Sequence, residues 1–308
     1  MTRNKLTALL CLVACLMSSP TWAAQLCGDT GVWLQILGAG GPEINDGQAS
    51  SSYLIWNNNK ARVLIDTGSG ASVAFDKAGA NFEDLYVIAF THLHVDHTVD
   101  FPGFIKGSYF LERTDPLIIL GPDSNNPDYP DTETFIERLI GPQGAYAYLK
   151  DFLTYKSSGG YRVRPRNVPA TGNRRWAKFG NDELRMSAIP VNHGPVPALA
   201  WRVDVGGMAV VITGDFNNLK NVMPKFAKGA DALVVTHAIH ESARGSQRDL
   251  HALPSQLGRI AQQAEARMLI LSHRMNRTRG LESQTRAHIE EQYDGYILFA
   301  NDLECWGL

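Results

Sequence analysis

Cysteine is scarce in this chain of 308 residues: there are four, and only Cys27 and Cys305 lie beyond the first fifteen positions. Neither has a neighbour at metal-ligand spacing, which excludes a cysteine-rich zinc module. Charge of one sign is lacking too. A formal net charge of −2 provides no global attraction to nucleic acid. No repeat or low-complexity tract occurs, so solenoids and disordered stretches are set aside. Hydrophobic runs are short. Even Leu6 to Met17 falls below the length of a bilayer-spanning helix, and no transmembrane segment is expected.

That N-terminal run has a different reading. Arg3 and Lys5 precede it and small residues follow at Ala23 and Ala24, the layout of a secretory signal peptide over residues 1–23. Leu12-Val13-Ala14-Cys15 also has the form of a bacterial lipobox, so lipid anchoring at Cys15 is the alternative to cleavage near Ala23. Either way the expected location is periplasmic or secreted. In such an oxidising compartment Cys27 and Cys305 are expected to form a disulfide, the alternative being two free thiols. Residues 24–308, in a chain that is 44% hydrophobic, read as one globular domain.

The most informative residues are the least common ones gathered together. Of nine histidines, three fall within six positions, in His92-Leu93-His94-Val95-Asp96-His97, just after the apolar run Leu85 to Phe90. Imidazole nitrogen suits zinc, iron and related metals, and a carboxylate among them can hold or bridge a second cation. Other apolar runs end in the same way. Ser187 to Val191 leads to Asn192-His193, Met208 to Ile212 to Thr213-Gly214-Asp215, Ala232 to Val235 to Thr236-His237, and Met268 to Leu271 to Ser272-His273. Short runs rich in Val and Ile that stop at turn residues read as buried strands. Their polar ends are expected to line one edge of the sheets, where loops carry catalytic groups on a rigid scaffold.

In these elements the chain resembles the metallo-β-lactamase superfamily, and within it the branch holding ribonuclease Z, a group of arylsulfatases and cyclic-nucleotide phosphodiesterases. The resemblance runs from Leu37-Gly38-Ala39-Gly40-Gly41-Pro42 through Ser50-Ser51-Ser52-Tyr53-Leu54, Leu64-Ile65-Asp66-Thr67-Gly68 and the His-rich motif to His193, Thr213-Gly214-Asp215, His251 and Leu271-Ser272-His273. It implies an α/β fold, a four-layer αβ/βα sandwich of two sheets with helices outside. It also implies that His92, His94 and His193 hold one divalent metal, that Asp96, His97 and His273 hold a second, and that Asp215 bridges them. Zinc is the expected ion, with manganese or iron as alternatives. Two cations sharing a water lower its pKa, so a bridging hydroxide is the expected nucleophile, with Asp96 orienting it. His251 is the candidate for stabilising the transition state or protonating the leaving group. Where the branch carries a His-Glu pair this chain offers His237, His240 and Glu241, and the sequence does not choose among them. His288 lies in a polar stretch, Leu281 to Gln292, that reads as a surface helix without a metal role.

Departures from neighbouring members narrow the function. Flavin-linked di-iron oxygen reductases have Glu where His94 stands, zinc β-lactamases generally lack an Asp at the position of Asp215, and the helical C-terminal extension of glyoxalase-type thioesterases is not evident. The stretch from about Pro122 to Gly180 reads as an insert, with helices at Thr132 to Ile140 and Ala145 to Tyr155 and a basic segment carrying Arg162, Arg164, Arg166, Arg174, Arg175 and Lys178. Arg274, Arg277 and Arg279 follow His273, and Arg274 is the candidate substrate-binding residue because guanidinium grips phosphate or sulfate in two-pronged fashion. The expected function is an exported binuclear hydrolase of small anionic esters, phosphodiester or sulfate ester. Alternatives are a lactonase or β-lactamase-like hydrolase of neutral compounds and a non-catalytic metal-binding protein. No transfer RNA is expected among its partners, since an exported enzyme would not meet it. The oligomeric state is left open.

Overall fold

The structure is a computed structural model that describes residues 28, 30–154 and 160–308. The expected signal peptide, the lipobox Cys15 and Cys27 all lie outside the described residues. Among the described residues no helix is long and apolar enough to cross a membrane.

Two mixed seven-stranded sheets face each other. The first is built from β1 (Val32–Gly38), β2 (Ser52–Asn57), β3 (Lys60–Ile65), β4 (Val87–Ala89), β5 (Leu117–Pro122) and β6 (Val163–Val168), with β14 (Cys305–Gly307) outside β1. The second runs from β7 (Trp176–Gly180) through β8 (Leu184–His193), β9 (Val196–Val205), β10 (Met208–Ile212), β11 (Ala232–Thr236) and β12 (Met268–Ser272) to β13 (Tyr296–Phe299). Each sheet has an antiparallel half and a parallel half. Local chemistry explains the division. β2 and β3 turn at Asn58-Asn59, both with positive φ, as a tight hairpin requires. The parallel strands β11 and β12 are buried along their whole length, which is why they read as unbroken apolar runs.

Helices cover both outer faces. α1 (Ala71–Lys77), the short α2 (Val95–Thr98), α3 (Phe101–Ser108) and α4 (Thr132–Ile140) follow strands of the first sheet; α5 (Met223–Phe226), α6 (Ser246–Leu250), α7 (Pro254–Ala264) and α8 (Glu282–Glu290) follow strands of the second. The Asp131 carboxylate caps α4 by accepting from Thr134 N at 2.7 Å, and α7 begins with Pro254, whose missing N–H costs nothing there. Three large apolar cores result, with a small fourth cluster of Ile239, Ala243 and Leu253. Ile36, Ile65, Trp201, Val210 and Ile270 meet between the sheets; Leu64, Phe75, Ile88, Phe104 and Ile136 pack the first sheet on its helices; Val211, Leu233, Leu257, Ile260 and Ile289 do the same for the second. Three cores between four layers are the αβ/βα sandwich expected from the sequence. Trp201 ties the sheets together, fully buried and donating from Nε1 to Phe90 O at 2.9 Å. Its truncation to Ala would cost about 3–5 kcal/mol.

The segment expected as an insert is partly integral to the sandwich. Residues 163–168 are β6, paired in parallel with β5, and 176–180 are β7, at one edge of the second sheet, so each sheet takes one of its two edge strands from it. The first expected helix coincides with α4; the second is a short 3₁₀ turn at Ala147–Phe152. Arg164, Arg166, Arg174 and Arg175 are exposed along these edge strands and the turn between them.

Candidate metal centre

The polar strand ends do meet on one edge. β4 leads into Phe90-Thr91-His92, β8 ends at His193, β10 leads into Thr213-Gly214-Asp215, and β12 leads into His273. Thr91 O accepts from Leu199 N at 2.8 Å, linking the two sheets next to the His-rich motif. Ligand-capable atoms of His92, His94 and His193 lie within 4.8 Å of one another, as do those of His92, His97 and Asp215, and those of Asp96, His97 and His273. The resemblance implied this seven-residue arrangement, and the structure brings all seven together.

Unsatisfied polar atoms provide the test of whether cations fit. His97 Nε2, His273 Nε2 and Asp215 Oδ1 are buried without a hydrogen-bond partner among the described residues. Such atoms are expensive unless something not made of protein completes them. His97 Nε2 stands 3.5 Å from Asp96 Oδ2 and 3.8 Å from Asp215 Oδ1. Asp215 Oδ2 is 3.7 Å from His193 Nε2 and 3.4 Å from His273 Nε2. These separations are long for hydrogen bonds and suit lone pairs arranged around shared ions, so the residues fit a pair of divalent metals.

Residues outside the motif aim the ligands. Asp66 Oδ2 lies 2.8 Å from His97 Nδ1, and the same carboxylate accepts from Thr91 N and Thr91 Oγ1, each at 2.7 Å. With Nδ1–H donated to Asp66, His97 presents Nε2 to the centre. His193 does likewise, its Nδ1 3.0 Å from Leu250 O. Asn217 braces this side by donating from Nδ2 to Asn192 Oδ1 at 2.6 Å and to Asp249 O. Asp66 and His273 both take positive φ, at 61° and 49°, a costly conformation for non-glycine residues that concentrates at functional sites. Gly214 also has positive φ, and a Cβ there would stand 2.5 Å from Thr91 Cβ. Only glycine lets Asp215 sit against the Thr91–Asp66 support. The supporting roles of Asp66, Thr91 and Asn217 went unread in the sequence; the signal available was Asp66-Thr67-Gly68 at the end of an apolar run.

Electrostatics separates the ligands. Burial, reinforced by the neighbouring histidines, holds His92 well below the ordinary imidazole range, and burial lowers His94 too, so both remain neutral donors of a lone pair. In the metal-free protein burial alone would lower His97, but Asp96 and Asp66 outweigh it and raise its pKa to about 10, so a metal must displace a proton from Nε2. Burial would raise Asp215, yet His273, His251, His97 and His193 around it hold the carboxyl far below its usual value. Asp96 is held down in the same way, chiefly by His97 and His273 against burial.

His251 lies at the end of α6, buried, with its ring centroid 5.6 Å from that of His193 and 5.8 Å from that of His273. Burial lowers its pKa to about 3 and so keeps it neutral. The other sequence candidates are elsewhere. His237 is buried with Nε2 2.9 Å from Thr285 Oγ1, His240 pairs with Ser242, and the Glu241 carboxylate accepts from Ser255 N and Oγ. None of these joins the ligand cluster. His288 is on α8, 3.9 Å from Glu291, as its polar surroundings predicted.

Arg274 requires correction. Its guanidinium is committed to Glu282, Asn301 Oδ1 at 2.8 Å and Ala300 O at 3.2 Å, beside the Phe299 ring. The left-handed turn at His273 sends the next side chain away from the metals, so adjacency in sequence misled. Arg277 is the better cation. Its Nε donates to Ala238 O at 2.5 Å, and it lies near enough to Asp215 and His251 to influence their charge balance.

Comparison with known proteins agrees with this geometry. The beta-lactamase superfamily domain matches residues 61–274, more than half of the chain. A ribonuclease Z of Mycolicibacterium gilvum is 27% identical over 285 residues, covering 87% of this chain and 93% of that protein. In structure, the metallo-beta-lactamase fold protein YhfI from Bacillus subtilis superimposes with a TM-score of 0.68 at 21% identity, over 89% of this chain and 98% of that one. The short form of human tRNase Z gives 0.68 at 17% identity, with the same coverage. The chain belongs to the metallo-β-lactamase superfamily, in its ribonuclease Z branch, and is a metal-dependent hydrolase. The fold implies divalent metal ions. These relatives overturn one expectation: the exclusion of transfer RNA rested on the inferred export alone, whereas proteins named ribonuclease Z match the chain along most of its length.

Proposed function

We propose that this protein hydrolyses phosphodiesters, RNA among them, with two zinc ions held by His92, His94 and His193 on one side and Asp96, His97 and His273 on the other, and with Asp215 shared. The observation that carries the reading is the Asp215 carboxylate, standing between His193, His97 and His273 with one oxygen left without a protein partner. Two divalent ions, when bound, make water acidic enough to yield hydroxide near neutral pH and offset the charge that builds on the phosphoryl oxygens. The chain's own residues do the rest. Asp96, kept anionic, orients the attacking water by accepting its hydrogen bond. Arg277 steadies a non-bridging oxygen. His251, kept neutral by burial, donates a hydrogen bond to the departing oxygen, a role that suits it better than delivery of a proton it does not carry at pH 7.

Zinc-loaded protein assayed on bis(p-nitrophenyl) phosphate, an aryl sulfate ester, a lactone and an RNA with a 3′ extension tests this. The phosphodiesters should be the best substrates. A lactone turned over most efficiently would replace the proposal with the neutral-substrate alternative, and a sulfate ester in first place would replace phosphoryl with sulfuryl transfer.

Residues 1–23 are proposed to direct export, and Cys27 to pair with Cys305, which is buried in β14. Intact mass of periplasmic protein, before and after reduction, checks both. A chain still carrying residue 1, or two thiols open to alkylation without reduction, would reject the respective step.

A further inference from the structure

Between α6 and α8 lies a cavity of about 870 Å³ that includes none of the metal-site ligands. One wall is a single face of α8, where Leu281, Gln284, Thr285 and His288 follow the helical repeat. Facing it is the loop from His240 into α6, which contributes Arg244 and Arg248, and Leu253 completes the lining. The lining sets two arginines against one carboxylate, Glu241, whose oxygens face Ser255. Both carboxylate oxygens of Glu241 are taken up by Ser255, at 2.9 Å from its N and 2.6 Å from its Oγ, while Glu291 lies 3.9 Å from His288 Nδ1 at the outer end. Arg244 and Arg248 are exposed, and the guanidinium of Arg248 has no ion pair among the described residues.

The chain ties this cavity to the reaction. Arg248 precedes His251 by three residues and Leu253 follows it by two, so these two lining residues lie within ~10 Å of chain from the residue whose ring flanks His193 and His273. Its volume falls in the range of small-ligand sites, ~300–1,000 Å³. Two guanidinium groups in the lining of a polar hollow that also includes Leu253 and Leu281 suit a phosphate and the nucleoside attached to it.

From this geometry we infer that the cavity between α6 and α8 is a nucleotide-binding subsite, in which Arg244 and Arg248 hold a second phosphate of the substrate next to the one being cleaved. The inference rests on the phosphodiesterase reading and adds to it the place where a second phosphate is held. The second phosphate undergoes no chemistry; it anchors the strand so that the neighbouring linkage meets His251.

Binding and turnover test it separately. Titration calorimetry of the full chain with AMP, in excess chelator so that metals cannot hold the phosphate, should show binding that weakens at least tenfold in the Arg244→Ala/Arg248→Ala variant. Arg138→Ala, on the distant α4, serves as the charge control and should bind as the parent does. In the zinc-loaded enzyme, efficiency on a short oligoribonucleotide relative to bis(p-nitrophenyl) phosphate should fall at least tenfold in the double variant, with melting temperatures confirming that it folds. No AMP binding by the parent chain, equal binding by the double variant, or an equal loss in Arg138→Ala would overturn the subsite. Absence of any phosphodiester turnover would instead reject the proposed function, leaving the calorimetric result to stand.

Discussion

Asp66 and His97, 31 residues apart in sequence, meet with 2.8 Å between Oδ2 and Nδ1 and with both side chains buried. The contact fixes which imidazole nitrogen carries its proton and so which one is free to bind a metal. Asp66→Asn keeps the volume and removes the anion. It should weaken zinc binding about 10- to 100-fold, the usual effect of losing such a supporting carboxylate. Competition against a chromophoric chelator measures it, and unchanged affinity would show that His97 is aimed by something else.

Asp215 touches both halves of the centre. Asp215→Ala should reduce metal stoichiometry and abolish turnover while the sandwich persists, because its side chain packs no apolar core. His288→Ala, on α8, should leave two metals bound. Plasma mass spectrometry of purified variants decides, and two ions retained in Asp215→Ala would remove the bridge from the ligand set.

Arg274 and Arg277 should part company. Arg277→Ala is expected to lower kcat/KM on a phosphodiester roughly ten- to a thousandfold, as when one donor to a developing charge is lost, with both metals retained. Arg274→Ala should act on stability, costing about 1–3 kcal/mol through the unpaired Glu282 and the lost bonds to Asn301 and Ala300. Kinetics and urea unfolding on the same preparations test both. A larger kinetic effect at Arg274 would return it to the site.

His237 gives the metal-free protein an acid sensitivity of its own. Burial, with Arg274 nearby, lowers its pKa from 6.5 to about 4. Between these values the unfolded chain binds a proton that the folded chain refuses, so stability falls as pH drops through that window and is regained above it. In His237→Gln the slope of unfolding free energy against pH from 6.5 to 4 should be shallower by at most ~1.4 kcal/mol per pH unit. Identical slopes in parent and variant would mean that His237 does not titrate in this way.

Much of the site was legible because ligand chemistry constrains residue type more tightly than it constrains anything else. His92, His94, Asp96 and His97 are crowded into six positions, and His193, Asp215 and His273 each end an apolar run that became β8, β10 or β12. The periodicity of those runs likewise announced the sheets, since strands buried on both faces must be apolar throughout. The strands β6 and β7 were harder to see because they lie at sheet edges, exposed in part, and carry arginines and lysine where a core strand would carry Val or Ile.

What the sequence by itself determined, then, is the donor set and the strands that carry it, because both follow from the chemistry of individual residues and from short-range pattern. Only the tertiary structure decided direction and long-range partnership. Backbone conformation at His273 turned Arg274 towards Glu282, burial kept His251 neutral, Asp66 reached His97 across the fold, and α6 met α8 around a basic cavity. Each depends on where two distant segments come to rest against each other, and a side chain's orientation is set there by packing and hydrogen bonding that no local pattern encodes.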